Sequence, residues 1–395
     1  MALWSDLTGQ ADAIATVRAA AETGEGLAHS WLITGPPGSG RSTLAYAFAT
    51  ALLSRPGTEE STEAQVNART HPDLGVLSTE RVLISIEEVR RLVAASQFSP
   101  SVGRYRVMVI EDADRMTERT SNVLLKALEE PPPRTIWILC APSEADLIPT
   151  IRSRVRTVRL RVPTVDEVAD LIEQRDGVSR SEAERAAREA QSHIGMAHRL
   201  ATSEDARARR RRTLELALGI RSVSGAVIAA AELIEVADDD AKAITAERDA
   251  EERESALRSL GIEPGGTVPP ALRAQLKALE EDQKRRATRS LRDGLDRILV
   301  DLLSLYRDIL LLQLGVAVEP VNLAIYGQLE IAATAATPAR TLQTLDAIAE
   351  ARVRIAGNVA PALALEAVLI SAIRRADTVT AAEPTARAWP AWARS

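Results

Sequence analysis

The sequence predicts an α/β domain built on a parallel sheet, followed by a small helical segment and a larger all-α region. Three observations lead there. Short apolar runs alternate with helix-forming stretches from residue 1 to about residue 160. One joint between a run and a helix is the glycine-rich stretch Gly35-Pro36-Pro37-Gly38-Ser39-Gly40-Arg41-Ser42-Thr43. From Thr164 onward the strand-like runs stop and only helical periodicity continues. Strands alternating with helices give a parallel sheet covered on both faces.

The elements follow in order. Ala13, Ile14, Val17 and Ala20 recur at helical spacing, which predicts a first helix over 10–23. Trp31 to Thr34 is a short apolar strand leading into the glycine loop, and Leu44 to Leu53 reads as the helix after it. Residues 54–70 are polar and mixed, so a loop is expected there. Leu83 to Ile86 precede a helix from Glu87 to about Ser96, and Tyr105 to Ile110 is a strongly apolar strand. A helix from Thr117 to about Glu130 is stopped by Pro131-Pro132-Pro133, because proline lacks the N–H that a helix interior needs. Thr135 to Cys140 and Thr157 to Leu160 are the remaining strands.

Three short helices are expected over Asp166–Gln174, Ser181–Ser192 and Met196–Thr202. The basic run Arg207 to Arg212 reads as a solvated helix face or linker. Residues 213–300 read as largely helical, with a break at Gly261 to Pro270. Amphipathic helices are expected over 291–315 and 340–375. The predicted organisation is a core over 1–162, a helical segment over 163–205 and a helical domain over 206–378. That last domain includes a charged helical insertion at about 235–290, and a flexible tail, with Trp389 and Trp392, follows over 379–395.

Composition narrows the function classes. The 395 residues are 46% hydrophobic and 26% charged, as expected of a soluble protein of two or three domains. No run approaches the roughly 18 apolar residues of a membrane span, and the N-terminus does not read as a signal peptide. A cytoplasmic protein is expected. Cys140 is the only cysteine, which excludes disulfides within the chain and thiolate zinc sites. The net charge of −6 argues against a protein that coats DNA unaided.

Gly35 to Thr43 fits the phosphate-loop pattern GxxxxGK[ST], except that Arg41 stands where lysine is expected. Glycines let backbone N–H groups turn inward around phosphate oxygens at a helix N-terminus. Gly35, Pro37, Gly38, Ser39, Gly40, Arg41, Ser42 and Thr43 are therefore the nucleotide-binding candidates, with the Ser42 hydroxyl placed for Mg²⁺. The planar guanidinium of Arg41 is not equivalent to a compact ammonium. The carboxylates Glu111 and Asp112 end the strand from Val107, where a phosphate-loop enzyme needs acids for magnesium and water. Their order, Glu then Asp, reverses the usual one, and one methylene is enough to misplace a catalytic carboxylate. Arg154, in Pro149-Thr150-Ile151-Arg152-Ser153-Arg154-Val155, is the third candidate. Its planar fork suits phosphate oxygens, and spacing alone equally allows a surface ion pair.

The combination resembles the bacterial DNA polymerase III clamp-loader subunits of the AAA+ class, most closely the delta-prime branch. The most specific block is Ser121-Asn122-Val123-Leu124-Leu125-Lys126-Ala127-Leu128-Glu129-Glu130-Pro131-Pro132, close to the family's NALLKTLEEPP. Leu7-Thr8-Gly9-Gln10, Gly35–Thr43, His71-Pro72-Asp73, Glu111–Met116 and Ser153-Arg154 support it, in family order. It covers residues 1 to about 200, and Asn358 to Glu366 also looks like the family's last collar helix.

The resemblance implies an AAA+ core, a helical lid and a collar that joins gamma/tau-like and delta-like subunits into a hetero-pentamer. That ring loads the sliding clamp on primed DNA. It further implies that Arg154 serves as an arginine finger on the ATP of an adjacent subunit. Val155 replaces the family's cysteine, and no cysteine of the zinc module is present. His198 stands where the lid usually offers an arginine, with Arg199 next to it. Pro142-Ser143 lacks the usual first-sensor amide or threonine. Together these departures imply a non-motor role, with ATP and Mg²⁺ bound weakly or not at all. The alternative is an active ATPase in which Arg41 and Glu111 do the lysine and aspartate jobs. Nothing in the sequence reads as a polymerase site, so that activity would belong to the complex.

Overall fold

The computed structural model describes residues 4, 7–24, 26–79, 83–259, 273–357 and 359–373. The expected break at Gly261 to Pro270, the tail over 379–395 and Asn358 lie outside these residues. The chain divides into two compact units between Thr202 and Ser203.

The first unit opens with α1 (Ala11–Thr23), β1 (Ser30–Thr34), α2 (Arg41–Leu53) and α3 (Glu59–Asn67). Then come β2 (Leu74–Leu77), α4 (Ile86–Ser96), β3 (Arg106–Ile110) and α5 (Glu118–Glu129). β4 (Thr135–Ala141), α6 (Pro149–Arg152) and β5 (Arg156–Arg159) complete the sheet layer. α7 (Val165–Asp176), α8 (Arg180–Glu189) and α9 (Ile194–Thr202) end the unit. The five strands are parallel in the order β2-β3-β4-β1-β5. The glycine loop leaves the carboxyl end of β1, an interior strand of this sheet.

Strand residues alternate between two cores, as a period of two requires. Trp31, Ile33, Val107, Val109, Ile138 and Cys140 pack with Leu44 and Phe48 of α2 and Val17 of α1. Leu32, Met108, Ile110, Trp137 and Leu139 pack on the other face with Val89 and Leu92 of α4 and Leu124 and Leu128 of α5. Both faces are dry, so the strands read as continuous apolar runs rather than alternating ones. Ser85 and Thr117 cap α4 and α5 by accepting from Glu88 N and Thr120 N.

Two elements differ from the sequence expectation. Residues 54–70 are not all loop, because Glu59–Asn67 forms α3. Glu59 and Glu60 favour its N-terminus electrostatically, while Thr62 and Val66, one turn apart, bury its inner face. The edge strand β2 carries no extended apolar run of its own. It forms because Leu74–Leu77 pairs with Val107–Ile110, and Gly75 gives room to Met108, whose sulfur lies 2.6 Å from where a Cβ would stand. Just before it, the fully buried carboxylate of Asp73 accepts from the backbone N–H groups of Ser101, Val102 and Gly103, each at 2.7 Å.

The second unit contains α10 (Glu204–Gly219), α11 (Val223–Ser259), α12 (Arg273–Gln313), α13 (Tyr326–Thr334), α14 (Pro338–Ala356) and α15 (Pro361–Ser371). Leu233, Leu295, Leu302, Leu305, Ile348 and Leu365 lie in its core. Within the expected charged insertion, residues 235–259 belong to α11 and residues 273–290 to α12, and Ala237 packs in this core. The run Arg207 to Arg212 is not simply a solvated face. Arg210 is buried, donating Nε to Asp301 at 3.0 Å and Nη2 to Asn322 at 2.6 Å. Arg209 pairs with Asp240 at 3.0 Å, and Arg212 pairs with Glu232. The acids come from α11 and α12, distant in sequence, so the run alone did not reveal them.

Candidate functional site

The carboxyl ends of β1, β3 and β4 place the first candidates together. β1 runs out at Thr34 into the glycine loop, whose Gly35 N–H donates to Pro142 O at the end of β4. Ile110 ends β3, and Glu111 N–H donates to Leu77 O of β2. Ligands in open parallel sheets bind at such strand ends. Gly38 and Gly40 hold φ of +78° and +93°, values that strain any residue with a Cβ, so these two positions require glycine.

The charged groups at this edge already have partners within the chain. The Arg41 guanidinium folds back and donates through Nη1 to Gly35 O, the first carbonyl of its own loop. Glu111 accepts from the Tyr46 hydroxyl on α2 and, at 2.8 Å, from Nη2 of Arg69. Burial first, and then Glu111, push the Tyr46 phenol well above its ordinary pKa, so Tyr46 acts as a donor. Asp112 lies 3.9 Å from Nε of Arg115. Cys140 is buried beneath Arg41, and its thiol is pushed up to about 12 by that burial.

The three helices α7 to α9 contribute an unexpected neighbour. A Cβ at Gly38 would lie 2.3 Å from Cγ of His193, so that ring rests directly on the loop. Ile194 N–H donates to Gly38 O at 3.4 Å. Gln191 and Ser192, both with positive φ, form the turn that delivers His193. Two consecutive left-handed residues without glycine store local strain. His198, at the position where the resemblance puts a lid arginine, holds Asp176 at 2.8 Å through Nδ1. Ser143 caps the next turn by accepting from Ala145 N–H.

Arg154 lies elsewhere. β5 runs parallel to β1, with Trp31 opposite Arg156 and Thr34 opposite Arg159. Arg154 precedes the start of β5, while the glycine loop follows the end of β1. The two therefore sit at opposite ends of the sheet, roughly 15 Å apart at strand rise. Arg154 donates Nε to Glu129 Oε1 at 2.6 Å, and its Nη2 lies 2.5 Å from the same oxygen. Its Nη1 donates to Thr150 O at 2.7 Å and Ser153 Oγ at 3.0 Å. The side chain remains about one-third exposed, at 34%. The structure thus brings Gly35–Thr43, Glu111 and Asp112 to one edge and keeps Arg154 apart. The sequence did not reveal the contacts of Tyr46 and Arg69 with Glu111, of Glu129 with Arg154 or of His193 with Gly38, each of which spans 25 or more residues.

Residues 9–164 match the family model described as DNA polymerase III, delta subunit. The similarity to delta-prime subunits lies in this N-terminal stretch. The delta-prime subunit of Pseudomonas aeruginosa DNA polymerase III is 35% identical over 161 residues, covering 39% of this chain and 45% of that protein. The gamma/tau subunit of DNA polymerase III from Mycobacterium bovis is 27% identical over 168 residues, 41% of this chain and 29% of its own length. The chain spans less than half the length of these curated relatives. A solved gamma-subunit-related protein of Thermotoga maritima aligns with 91% of this chain and 99% of its own, at 18% identity and a TM-score of 0.45. Among the described residues no helix is long and apolar enough to cross a membrane.

Proposed function

We propose that this delta-prime-like chain is a non-motor subunit of a DNA polymerase III clamp loader. It joins gamma/tau-like and delta-like subunits in a hetero-pentamer and presents Arg154 to the ATP bound by a neighbour. The sliding clamp and primed DNA are met by the assembled ring. The observation that carries this reading is the placement of Arg154 at the opposite end of the sheet from its own phosphate loop, partly exposed on an outer turn. An arginine so placed serves a phosphate outside the chain or none.

The groups at the glycine loop support the non-motor half of the reading. As they stand they do not fit a magnesium nucleotide. Arg41 is spent on Gly35 O, Glu111 is held by Tyr46 and Arg69, and His193 rests on Gly38. ATP and Mg²⁺ are therefore bound weakly or not at all here. The chemistry falls to the neighbour, where Arg154 would stabilise charge on the transferred phosphoryl oxygens. A cytoplasmic setting follows from that role.

Assembly tests the reading. The full chain, mixed with gamma/tau-like and delta-like subunits of the same organism, is expected to co-elute with them as one complex. Failure to join them contradicts the proposed function.

A further inference from the structure

Arg154 is already holding an anion. Arginine carries five N–H groups. Three hydrogen bonds leave Arg154, from Nε to Glu129 Oε1 and from Nη1 to Thr150 O and Ser153 Oγ, and Nη2 lies 2.5 Å from the same Glu129 oxygen as an ion pair. A phosphate is best gripped along one edge of the guanidinium, by two parallel N–H groups. The Nε/Nη2 edge carries Glu129. The Nη1/Nη2 edge is held by the turn that carries Arg154 itself. Neither edge can take a phosphate until a contact is surrendered.

Which contact yields follows from charge and tethering. Thr150 O and Ser153 Oγ are neutral, belong to the same short turn and move with the arginine. Glu129 is different. It ends α5, its side chain is 44% exposed, and its carboxylate occupies the guanidinium edge as a phosphate oxygen would. Two anions cannot share that edge without repulsion. The neutral contacts can persist and keep the arginine aimed while the anion on the other edge is exchanged.

We propose that Glu129 is a positioning residue that acts as an internal phosphate mimic, latching Arg154 until the neighbour's nucleotide displaces it. This rests on the arginine-finger reading of Arg154. The latch keeps the finger ordered but unavailable in the resting loader, and it lowers the resting rate relative to the rate with clamp and DNA. An exposed ion pair of this kind is weak, so the exchange is readily reversed.

The test uses the reconstituted loader with full-length chains. Glu129→Gln keeps the shape and removes the charge. Its resting ATPase, without clamp or DNA, is expected to rise about two- to fivefold, the scale of an exposed pair. The stimulated rate should stay within twofold, so the ratio of stimulated to resting rates falls. Glu130→Gln, next in the chain, should leave that ratio unchanged. A Glu129→Gln loader with unchanged resting turnover, or with a lower stimulated rate and no resting gain, overturns the latch and leaves Glu129 a structural partner. If Arg154→Ala has no effect on the stimulated rate, the finger reading itself fails, which is a distinct result.

Discussion

Arg69 donates an Nη2 hydrogen bond to Oε1 of Glu111 across 2.8 Å, and the Tyr46 hydroxyl donates to that same oxygen. A carboxylate at the end of β3, where a phosphate-loop enzyme keeps its magnesium acids, is thus built into the protein's own packing. Tyr46→Phe removes one of two charge-assisted bonds. Such bonds contribute about 1.5–3 kcal/mol each. The variant is expected to lose about 1–2 kcal/mol in urea unfolding, with no change in nucleotide binding.

The same arrangement predicts that the isolated full-length chain releases no phosphate from ATP above background. Arg41→Lys alone should not create activity, because Glu111 remains engaged and His193 still lies on Gly38. A phosphate-release assay on both proteins checks this. Turnover by the wild-type chain would favour the active-ATPase alternative.

Gly38 and His193 should be energetically coupled. Gly38→Ala meets a left-handed backbone, which costs roughly 1–2 kcal/mol, and also the His193 ring 2.3 Å away. In a His193→Ala background only the backbone cost remains. A double-mutant cycle on thermal unfolding is expected to show coupling of about 1 kcal/mol or more. Additive effects would mean the ring does not rest on the loop.

Asp73 gives a pH prediction. Burial alone would raise its pKa, but the N–H groups of Gly103, Ser101 and Val102 outweigh that and hold it at about 2. A depressed folded pKa stabilises fully above the unfolded value near 4 and is lost as pH falls toward 2. The contribution is about 2 kcal/mol. Asp73→Asn is expected to be less stable at neutral pH and to lose less stability between pH 4 and pH 2. Acid titration of unfolding free energy measures both.

Arg210 tests the second unit. It is buried between Asp301 and Asn322, so Arg210→Ala removes a cation from beside a partly buried carboxylate and a donor from Asn322. A loss of about 3 kcal/mol in chemical unfolding is expected.

Much of this fold was legible in the sequence because its strands are buried on both faces. Trp31–Thr34, Val107–Ile110 and Ile136–Cys140 show as continuous apolar runs, and the joint from Gly35 to Thr43 shows by its glycines. β2 escaped because Leu74–Leu77 is short, contains a glycine and is defined by its neighbour β3. α3 escaped because only Thr62 and Val66 face inward. The candidate site was legible in its residues but not in their partners. Arg41, Glu111 and Arg154 could be named from motif positions. Their engagement by Gly35, Tyr46, Arg69 and Glu129 comes from packing, which local spacing does not encode. His193 reaches Gly38 through a strained turn that no periodicity signals.

The central claim is that Arg154 works on a neighbour's nucleotide. The most direct measurement is ATP turnover, with clamp and primed DNA present, by a reconstituted loader carrying Arg154→Ala in this subunit alone. The complex is predicted to assemble normally and its stimulated turnover to fall about tenfold or more, since an arginine finger contributes orders of magnitude at its own site. Assembly together with an unchanged stimulated rate would contradict the account.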